Sequence, residues 1–323
     1  MADLFLGIDF GGTSVKLGVC DSRGAIRGSA SIPTRAELKP GDMIDLMGDA
    51  ADRLMETTGR AAACGSGVPG PLDLERKTLL KATNLPTWVK VPYPETLGKR
   101  LGMTTFMEND ANCAAWGEFI AGAGRGMRSL VLYTLGTGVG GGIVINGDMW
   151  VGASGAAGEL GHMSIDPRGP RCACGQLGCV EQYASATAVK RMAIEAIATG
   201  KAPELARAMN ENLEFSAKVV FQHALQGDPS ARHIFEVVGH ALGLVLADMI
   251  NTLNLPMYVI GGGLASGWEA FAPAMFEELR KRSYVYVATA PDETLPARKH
   301  TLITRALLGS DAGLVGAARL ALM

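Results

Sequence analysis

Short apolar runs separated by glycine-rich turns occur in two distant parts of the chain. Near the N-terminus they predict strands over Leu4 to Asp9 and Val15 to Cys20, joined by a tight turn, and a third strand over Ala25 to Ile32. Further along they predict a strand over Ser129 to Leu135 and a returning strand over Gly141 to Ile145. The pattern indicates that one architecture occurs twice, although the two sequences are not repeats of each other.

Apolar residues at helical spacing separate these groups of strands. Helices are predicted over Asp42 to Thr58, Asn112 to Ala121, Trp268 to Lys281 and Asp311 to Leu322, and over most of residues 186–255. Short buried strands are predicted over Cys64 to Val68, Thr104 to Met107 and Tyr258 to Ile260. Because strands alternate with helices, we expect an α/β layered fold. The glycine-rich stretch Gly122 to Gly126 marks the expected boundary between two domains.

Length and composition narrow the class of protein. The 323 residues are enough for two domains at about 150 residues each. Hydrophobic residues make up 48% of the chain and charged residues 19%, which supports a buried core and disfavours disorder. Lys and Arg number 30 and Asp and Glu number 32, so the formal net charge is -2. This balance argues against a general nucleic-acid binder and against a protein held to membranes by basic residues.

The distribution of apolar residues and cysteines bears on the compartment. The start of the chain lacks a basic region followed by an apolar one, so no secretion signal is expected. The apolar stretch Ala241 to Ile260 contains Asp248 and Pro256, and it predicts a buried helix running into a strand rather than a membrane span. Three of the six cysteines lie close together, a spacing more typical of a metal site than of disulfides in such a chain. We therefore expect a cytoplasmic protein.

Glycine is the residue in excess, at 42 of 323 residues, against about 7% in average proteins. Three runs contain part of this excess: Gly11-Gly12, Gly136 to Gly142, and Gly261 to Gly263. Because glycine has no Cβ, a phosphate oxygen can approach its backbone N–H closely. The first two runs follow predicted strands, so they are candidate phosphate-binding turns.

Side chains beside the first two turns add to the phosphate-binding hypothesis. Thr13 adds a hydroxyl donor, Lys16 is long enough to reach an oxyanion, and Asp9 could hold Mg²⁺ through water. Thr137 and Gly138 offer similar donors at the second turn. The alternative is that each is only a hairpin turn, but two similar turns in one chain favour phosphate binding. Neither turn fits a P-loop or a Rossmann dinucleotide site.

A polar segment, Glu108 to Asn112, lies between a predicted strand and a predicted helix. In open α/β sheets, ligands collect at the carboxyl ends of strands. Asp110 could accept a proton from an alcohol there, and Asn109 could hydrogen-bond a hydroxyl. Asn and Asp are also preferred N-cap residues. Helix capping is therefore the alternative for this pair.

A short stretch contains four nitrogen and sulfur donors: His162, Cys172, Cys174 and Cys179. Four such donors suit tetrahedral Zn²⁺, and a full set with no open position is structural rather than catalytic. The alternative is three free buried thiols, which leaves the polar residues around them unexplained. Glu159 and Glu181 flank the set. An ion there would hold two carboxylates and an imidazole in one place, where they can bind another molecule.

Taken together, these segments resemble the ROK family of sugar kinases and repressors, over nearly the whole chain. The residues that carry the resemblance are Asp9-Phe10-Gly11-Gly12-Thr13, Gly67-Val68-Pro69-Gly70-Pro71, Glu108-Asn109-Asp110-Ala111-Asn112, the run Leu135 to Gly142, the block Glu159 to Glu181, and Ile260-Gly261-Gly262-Gly263-Leu264. The Glu159 to Glu181 block is the most specific, because metal ligands and carboxylates match together.

The resemblance implies an α/β fold of the actin/hexokinase-like (ribonuclease H-like) type, with two domains around a central cleft. It implies a smaller N-terminal α/β domain over residues 1–121, completed by the C-terminal helix over residues 308–323. The larger α/β domain, which carries the zinc loop, would cover residues 122–307.

The resemblance also implies a role for each candidate residue, with Asp110 as the catalytic base. Sugar hydroxyls would be bound by Gly70, Asn84, Asn109, Asp110, Glu159, His162 and Glu181, and the segment Asn84 to Trp88 would line the sugar side. ATP would be bound by Asp9, Gly11, Gly12, Thr13, Lys16, Thr137, Gly138, Gly262 and Gly263. Structural Zn²⁺ would be held by His162, Cys172, Cys174 and Cys179, with the second ring nitrogen of His162 directed at the sugar.

The function implied is ATP-dependent phosphorylation of a hexose, with ATP and Mg²⁺ and with glucose 6-phosphate as the expected product. Kinases of N-acetylmannosamine, fructose, allose or mannose stay open as alternatives. A sugar-sensing repressor would need an N-terminal helix-turn-helix, whereas only three residues precede the strand at Leu4. A sugar-binding regulator without catalysis is disfavoured by Asp110 and the two turns. The expected partners are hexose and ATP, with neither nucleic acid nor membrane, in a homodimer.

Overall fold

A computed structural model describes residues 3–82, 85–211, 214–292, 296 and 299–323, in which strands and helices alternate. The strands are β1 (Leu4–Phe10), β2 (Ser14–Asp21), β3 (Ile26–Pro33), β4 (Ala63–Val68), β5 (Leu79–Lys81), β6 (Val89–Val91), β7 (Thr105–Asn109), β8 (Leu130–Leu135), β9 (Val139–Ile145), β10 (Asp148–Met149), β11 (Met257–Gly261) and β12 (Leu302–Arg305). The helices are α1 (Pro40–Thr58), α2 (Tyr93–Leu101), α3 (Asp110–Ala121), α4 (Glu181–Ala184), α5 (Ala186–Ala198), α6 (Pro203–Glu211), α7 (Ala217–Leu225), α8 (Pro229–Leu253), α9 (Trp268–Arg282), α10 (Tyr284–Thr289) and α11 (Ala312–Ala318).

The first sheet has the strand order β3-β2-β1-β4-β7. Strand β2 pairs antiparallel with β1 and with β3, as the apolar runs and the tight turn between them predict. Strands β4 and β7 add in parallel at the other side of β1. Parallel neighbours need crossover connections, and α1 and α2 lie in the two crossovers.

The second sheet has the strand order β10-β9-β8-β11-β12. Strand β10 pairs antiparallel with β9, and β12 pairs in parallel with β11. A separate two-stranded antiparallel pair is formed by β5 and β6. Strands β5, β6 and β12 were not expected from the sequence, because three or four residues are too few to show a periodic pattern.

The chain divides into two compact units. The first contains the residues up to Leu132, together with Gly142–Gly158 and Ala306–Met323. The second contains Tyr133–Gly141 and Glu159–Arg305. Domains over residues 1–121 with 308–323, and over 122–307, stay a prediction about which parts of the chain fold independently.

Helices cover both faces of the first sheet. On one face, Ile44 and Met47 of α1 and Leu97 of α2 belong to one buried apolar cluster with residues of β1, β2 and β4. On the other face, α11 lies so close that a Cβ at Gly65 of β4 would collide with the carbonyl oxygen of Ala317. Glycine is therefore required at Gly65 by the close approach of a helix. The helix predicted to Leu322 ends as α11 at Ala318 and continues as a 3₁₀ turn over Leu320–Leu322.

Helices of the second unit pack around α8. This helix has 25 residues, and by its length and composition alone it would be able to cross a membrane. However, 67% of its most apolar part is buried inside the protein. Its long apolar face is thus that of a core helix, as predicted for the stretch beginning at Ala241.

Candidate functional site

In the first unit, four residues form one row across neighbouring strands of the first sheet. Lys16 of β2 pairs with Asp9 of β1, Asp9 pairs with Gly67 of β4, and Gly67 pairs with Glu108 of β7. The row lies next to the carboxyl ends of the parallel strands, where ligands bind in open α/β sheets. It brings together residues from three of the predicted motifs, the Asp9 turn, the segment that begins at Gly67, and the Glu108 to Asn112 segment.

The pKa of the Asp9 carboxyl lies above its ordinary value of 3.8, mainly because the group is buried. The charge of Lys16 opposes this rise, and the charge of Asp311 adds to it. Lys16 Nζ also donates a hydrogen bond to the carbonyl oxygen of Ser310 at 2.8 Å. Because burial and Asp311 disfavour the ionised form of Asp9, a cation beside it would stabilise that form.

The turn after β1 is fastened from behind by Thr34. The backbone N–H of Thr34 donates to the carbonyl of Thr13 at 3.0 Å, and its hydroxyl donates to the carbonyl of Gly11 at 2.7 Å. Gly12 and Thr13 are exposed. The turn is thus rigid, and its exposed side is accessible to a ligand. Thr34 was not predicted, because it lies 23 residues from Gly11 in the sequence, directly after β3.

Asn109 is the N-cap of α3. Its Oδ1 accepts hydrogen bonds from the backbone N–H groups of Ala111 at 2.9 Å and Asn112 at 3.2 Å. The capping alternative therefore holds for Asn109, while its Nδ2 can still donate to another group. Asp110 is the first residue of α3 and is partly exposed. Oδ1 of Asp110 accepts a hydrogen bond from the backbone N–H of Ala111 at 2.9 Å.

The remaining predicted sugar-side residues of the first unit differ in their exposure. Gly70 has a φ of +108° and is partly exposed beside the carbonyl of Lys81. Asn84 lies outside the described residues. Trp88 was expected on the sugar side, but its side chain is fully buried against Phe10. That expectation is wrong for Trp88, because the indole fills the core beneath the turn rather than reaching a ligand.

In the second unit, the four predicted metal ligands come together. One donor atom from each of His162, Cys172, Cys174 and Cys179 lies within 4.8 Å of every other. The Sγ atoms of Cys174 and Cys179 are 3.7 Å apart, and Cys172 Sγ lies 3.6 Å from Nδ1 of His162. With Zn–S bonds of about 2.3 Å, a tetrahedron has edges of roughly 3.8 Å. The donor set and its spacing therefore fit a tetrahedral zinc ion.

Two carboxylates lie beside this cluster. Nε2 of His162, the nitrogen that does not face the cysteines, lies 3.9 Å from Oε2 of Glu159. Oε1 of Glu181 lies 3.6 Å from Sγ of Cys172. Glu159 is exposed, and His162 and Glu181 are partly exposed. All three can therefore offer polar atoms to a ligand.

The second glycine turn lies against the N-terminus of α5. The backbone N–H of Ala186 donates to the carbonyl of Gly136 at 2.8 Å. The hydroxyl of Thr187 donates to the carbonyl of Thr137 at 2.7 Å. Thr137 itself is exposed. A helix N-terminus favours a nearby anion, so this turn has the chemistry of a phosphate site.

Of the third glycine run, Gly262 packs on the backbone of Leu135, the last residue of β8. A Cβ added at Gly263 would meet no atom within 4 Å, so open space lies beside its backbone. The third glycine run therefore lies next to the start of the second glycine turn, in the same unit.

Comparison with known proteins agrees with this geometry. The sequence model of the ROK family matches residues 5–323. The chain belongs to the ROK family. The resemblance identified from the sequence motifs is therefore confirmed, as is the predicted actin/hexokinase-like α/β fold, which ROK sugar kinases have.

Several ROK proteins are similar over nearly their full length. A glucokinase from Thermotoga maritima is 34% identical, with 97% of this chain and 95% of the relative covered. An N-acetylmannosamine kinase from Escherichia coli O157:H7 is 34% identical, with 98% and 97% covered. A ROK family glucokinase from Streptomyces griseus, solved in complex with glucose and AMPPNP, is 34% identical, with 98% of each chain covered and a TM-score of 0.82.

Arg76 contacts the Glu108 to Asn112 motif, although nothing in the sequence around Arg76 indicates such a contact. Its Nε lies 2.8 Å from Oε2 of Glu108, and only 17% of its side chain is exposed. In the sequence it stands between Glu75 and Lys77, a mixed charge run that is typical of a solvated surface. Only the fold brings Arg76 to Glu108, across 32 residues.

Proposed function

We propose that the protein is an ATP-dependent hexose kinase that converts glucose to glucose 6-phosphate. The observation that carries the proposal is its similarity, at 34% identity and a TM-score of 0.82, to the Streptomyces griseus glucokinase solved with glucose and AMPPNP. The glucokinase from Thermotoga maritima supports the same substrate. Glucose 6-phosphate would then supply glycolysis in the cytoplasm.

Asp110 is the proposed catalytic base. Its carboxylate would accept the proton of the sugar hydroxyl as the hydroxyl oxygen bonds to the γ-phosphorus of ATP and ADP leaves. In phosphoryl transfer, positioning and charge stabilisation provide most of the catalysis, so the base needs mainly to orient the hydroxyl. The placement of Asp110 at the first position of α3, directly after the end of β7, supports this role, because ligands bind at the carboxyl ends of such strands.

The proposed sugar ligands are hydrogen-bonding groups with fixed positions. Asn109 is held as a helix cap, and His162 is oriented with Nδ1 toward Cys172 and Nε2 toward Glu159. We assign Gly70, Asn84, Asn109, Asp110, Glu159, His162 and Glu181 to the sugar. A site built from several acceptors for hydroxyls discriminates strongly between sugars, because an unmatched polar group is costly.

The proposed ATP site consists of the two glycine turns and the charged residues beside them. Asp9 would hold Mg²⁺ through water, and Lys16 would contribute positive charge toward the phosphates. The remaining assigned residues are Gly11, Gly12, Thr13, Thr137, Gly138, Gly262 and Gly263. The rigid turn fastened by Thr34 and the turn at the N-terminus of α5 support this assignment.

We also propose that His162, Cys172, Cys174 and Cys179 hold Zn²⁺. When bound, the ion would supply a structural crosslink, with no position open for a substrate. The spacing of the donor atoms supports this proposal. The proposed homodimer has its support in the family alone, and light scattering of the purified protein measures it.

The second candidate substrate is N-acetylmannosamine, because an N-acetylmannosamine kinase is also 34% identical. The test is a turnover screen with MgATP, in which ADP release is measured against glucose, mannose, fructose, allose and N-acetylmannosamine. Glucose is expected to have the highest kcat/KM. A higher value for any other sugar would replace glucose as the substrate, and the absence of sugar-dependent turnover would overturn the kinase proposal. Asp110→Asn is the matched background control.

A further inference from the structure

Arg76 and Glu108 form an ion pair that is largely shielded from water. Nε of Arg76 lies 2.8 Å from Oε2 of Glu108, and the side chains are 17% and 7% exposed. Arg76 has a φ of +57°, in the left-handed region that arginine rarely adopts. A residue persists in that region only where the surrounding structure holds it. Arg76 is therefore a fixed part of the first unit rather than a mobile surface side chain.

The other nitrogens of the guanidinium are also engaged. Nη1 donates to the carbonyl of Asp73 at 3.1 Å, and Nη2 donates to the carbonyl of Gly155 at 3.3 Å. The turn that carries Arg76 is itself fastened, because Oδ1 of Asp73 accepts from the backbone N–H groups of Lys77 at 2.7 Å and Thr78 at 2.9 Å. Two backbone carbonyls thus hold the guanidinium in addition to Glu108.

Glu108 connects the fixed guanidinium of Arg76 to the segment that contains Asp110. Its second oxygen, Oε1, accepts from the backbone N–H of Asn109 at 2.8 Å and from Nδ2 of Asn112 at 3.1 Å. Glu108 and Asn112 are 5% and 3% exposed. Hence one carboxylate binds the residue immediately before Asp110 and another residue of the first turn of α3.

We propose that Arg76 is a positioning residue for phosphoryl transfer, which acts through Glu108 to set the place of Asp110 at the start of α3. The inference rests on the proposed function, in which Asp110 is the base. Arg76 neutralises the buried Glu108 carboxylate and fixes its rotamer. Without the guanidinium, Glu108 would be a buried charge two residues before Asp110 in the sequence, and its hydrogen bonds to Asn109 and Asn112 would lose their fixed geometry.

The test compares steady-state kinetics of Arg76→Met, Arg76→Lys, Glu108→Gln and the double variant Arg76→Met with Glu108→Gln. Misplacement of a catalytic group by about 1 Å lowers rates by about 100-fold. We therefore expect kcat of Arg76→Met to fall by about 10- to 100-fold, while KM for MgATP stays within about twofold. Arg76→Lys should recover part of kcat, because it restores the positive charge but not the forked geometry.

The double variant distinguishes action through Glu108 from an independent effect. If Arg76 acts through Glu108, the double variant loses no more kcat than Arg76→Met alone, because Glu108→Gln also removes the uncompensated charge. Losses that multiply would overturn the inference, as would a kcat of Arg76→Met within about twofold of the parent. Arg100→Met is the matched control, because Arg100 pairs with three carboxylates on α1, Asp45, Asp49 and Asp52, away from the Asp110 segment. Its kcat should equal that of the parent.

Unfolding midpoints of every variant separate loss of fold from loss of positioning. Should Arg76→Met fail to fold, Arg76→Lys and Glu108→Gln carry the same comparison, and a parental kcat in both overturns the inference. Asp110→Asn is measured in the same assay. If the parent lacks sugar-dependent turnover, or if Asp110→Asn turns over like the parent, the proposed function has failed. If Asp110→Asn is inactive and Arg76→Met keeps the parental kcat, only the inference about Arg76 has failed.

Discussion

Oε2 of Glu181 accepts a hydrogen bond from the backbone N–H of Val139, with 3.0 Å between the two atoms. Val139 follows the glycine turn proposed for phosphate, and Glu181 comes two residues after Cys179 of the metal cluster. Gly138 lies so close to the same carboxylate that a Cβ there would collide with Oε2. One side chain therefore connects the proposed sugar ligands to the proposed phosphate turn.

This connection predicts different effects of two substitutions at Glu181. Glu181→Gln keeps an oxygen that can accept from Val139, so KM for the sugar should rise about tenfold while KM for MgATP changes little. Glu181→Ala removes the acceptor and should raise both values about tenfold or more. Zinc content is checked in each variant. Glu195→Gln, an exposed carboxylate of α5 paired with Arg191, is the control. An unchanged KM for MgATP in Glu181→Ala would contradict the connection.

Substitution of Asp110 by Asn should abolish most catalysis and leave sugar binding in place. The loss of a catalytic base is expected to cost at least about 3 kcal/mol of transition-state stabilisation. Sugar affinity is measured by calorimetry without ATP, and turnover by ADP release. Asp148→Asn, an exposed aspartate of β10, provides the comparison. Phosphorylation near the parental rate would show that Asp110 is not the base.

The cluster of four candidate ligands is expected to bind one zinc ion per chain. Cys172→Ser and Cys174→Ser should lose the ion, as measured by elemental analysis, because each removes one of four ligands. Removal of zinc by a chelator should lower the unfolding midpoint, since a structural metal contributes directly to the free energy of folding. Cys20→Ala, in a separate part of the fold, should retain zinc. The prediction is wrong if the parent itself contains none.

Substitution of Asp9 by Asn is expected to stabilise the fold and to weaken ATP binding. Its pKa is raised above 3.8, first by burial and further by Asp311, against the effect of Lys16. The ionised form therefore destabilises the fold above the raised pKa, and this cost disappears as the pH falls toward the ordinary value. Asp9→Asn should raise the unfolding midpoint at pH 7, with a difference from the parent that shrinks on acidification. KM for MgATP should rise in the same variant.

The test for Asp9 is a series of thermal unfolding curves of Asp9→Asn and the parent, from pH 7 down toward the ordinary pKa of 3.8. A difference between Asp9→Asn and the parent that grows on acidification would contradict the assignment of a raised pKa. Asp148→Asn controls for the loss of one negative charge from the chain.

Substitution of Glu118 is expected to lower the free energy of unfolding by a large amount. It is fully buried, with Oε1 accepting from Leu308 N–H at 2.7 Å and Oε2 accepting from Leu307 at 3.1 Å and Ala123 at 2.8 Å. Hydrogen bonds to a charged group contribute about 1.5–3 kcal/mol each. Glu118→Ala should therefore lower the free energy of unfolding in urea by at least about 3 kcal/mol.

Glu118→Gln should also destabilise the protein, because its amide nitrogen would face backbone N–H donors. Hydrogen exchange should then increase first at Leu307 and Leu308. Glu269→Gln, an exposed partner of Arg305, is expected to change the free energy of unfolding by less than about 1 kcal/mol. Equal stability of Glu118→Ala and the parent would show that the hydrogen bonds accepted by Glu118 do not stabilise the fold.

The sequence predicts those features that depend on neighbours along the chain. The metal ligands Cys172, Cys174 and Cys179 stand on one short loop, so their spacing alone brings their sulfur atoms together. The strand–turn–strand pattern around Gly11 is similarly local. Asn109 shows the limit of local reasoning, since capping and ligand binding require the same residue type and are not exclusive.

Features that depend on distant contacts were not predicted. The pairing of Arg76 with Glu108 joins a charge run to a strand end 32 residues away, and the run itself has the composition of an exposed surface. Trp88 was placed on the sugar side, but the core beneath the first turn buries its indole against Phe10. In both cases tertiary packing, and not local pattern, decides whether the side chain meets solvent.

The position of α11 has a consequence for synthesis of the protein. Strands β1 and β4 are complete by Val68, yet the helix that covers Gly7 and Gly65 begins only at Ala312. While the chain emerges from the ribosome, this face of the first sheet has no native cover until α11 has been made. The nascent first unit therefore exposes apolar side chains such as Phe5 for most of translation. Its completion must follow synthesis of the second unit, so the N-terminal fold closes only after α11 has been made and not when its first strands emerge.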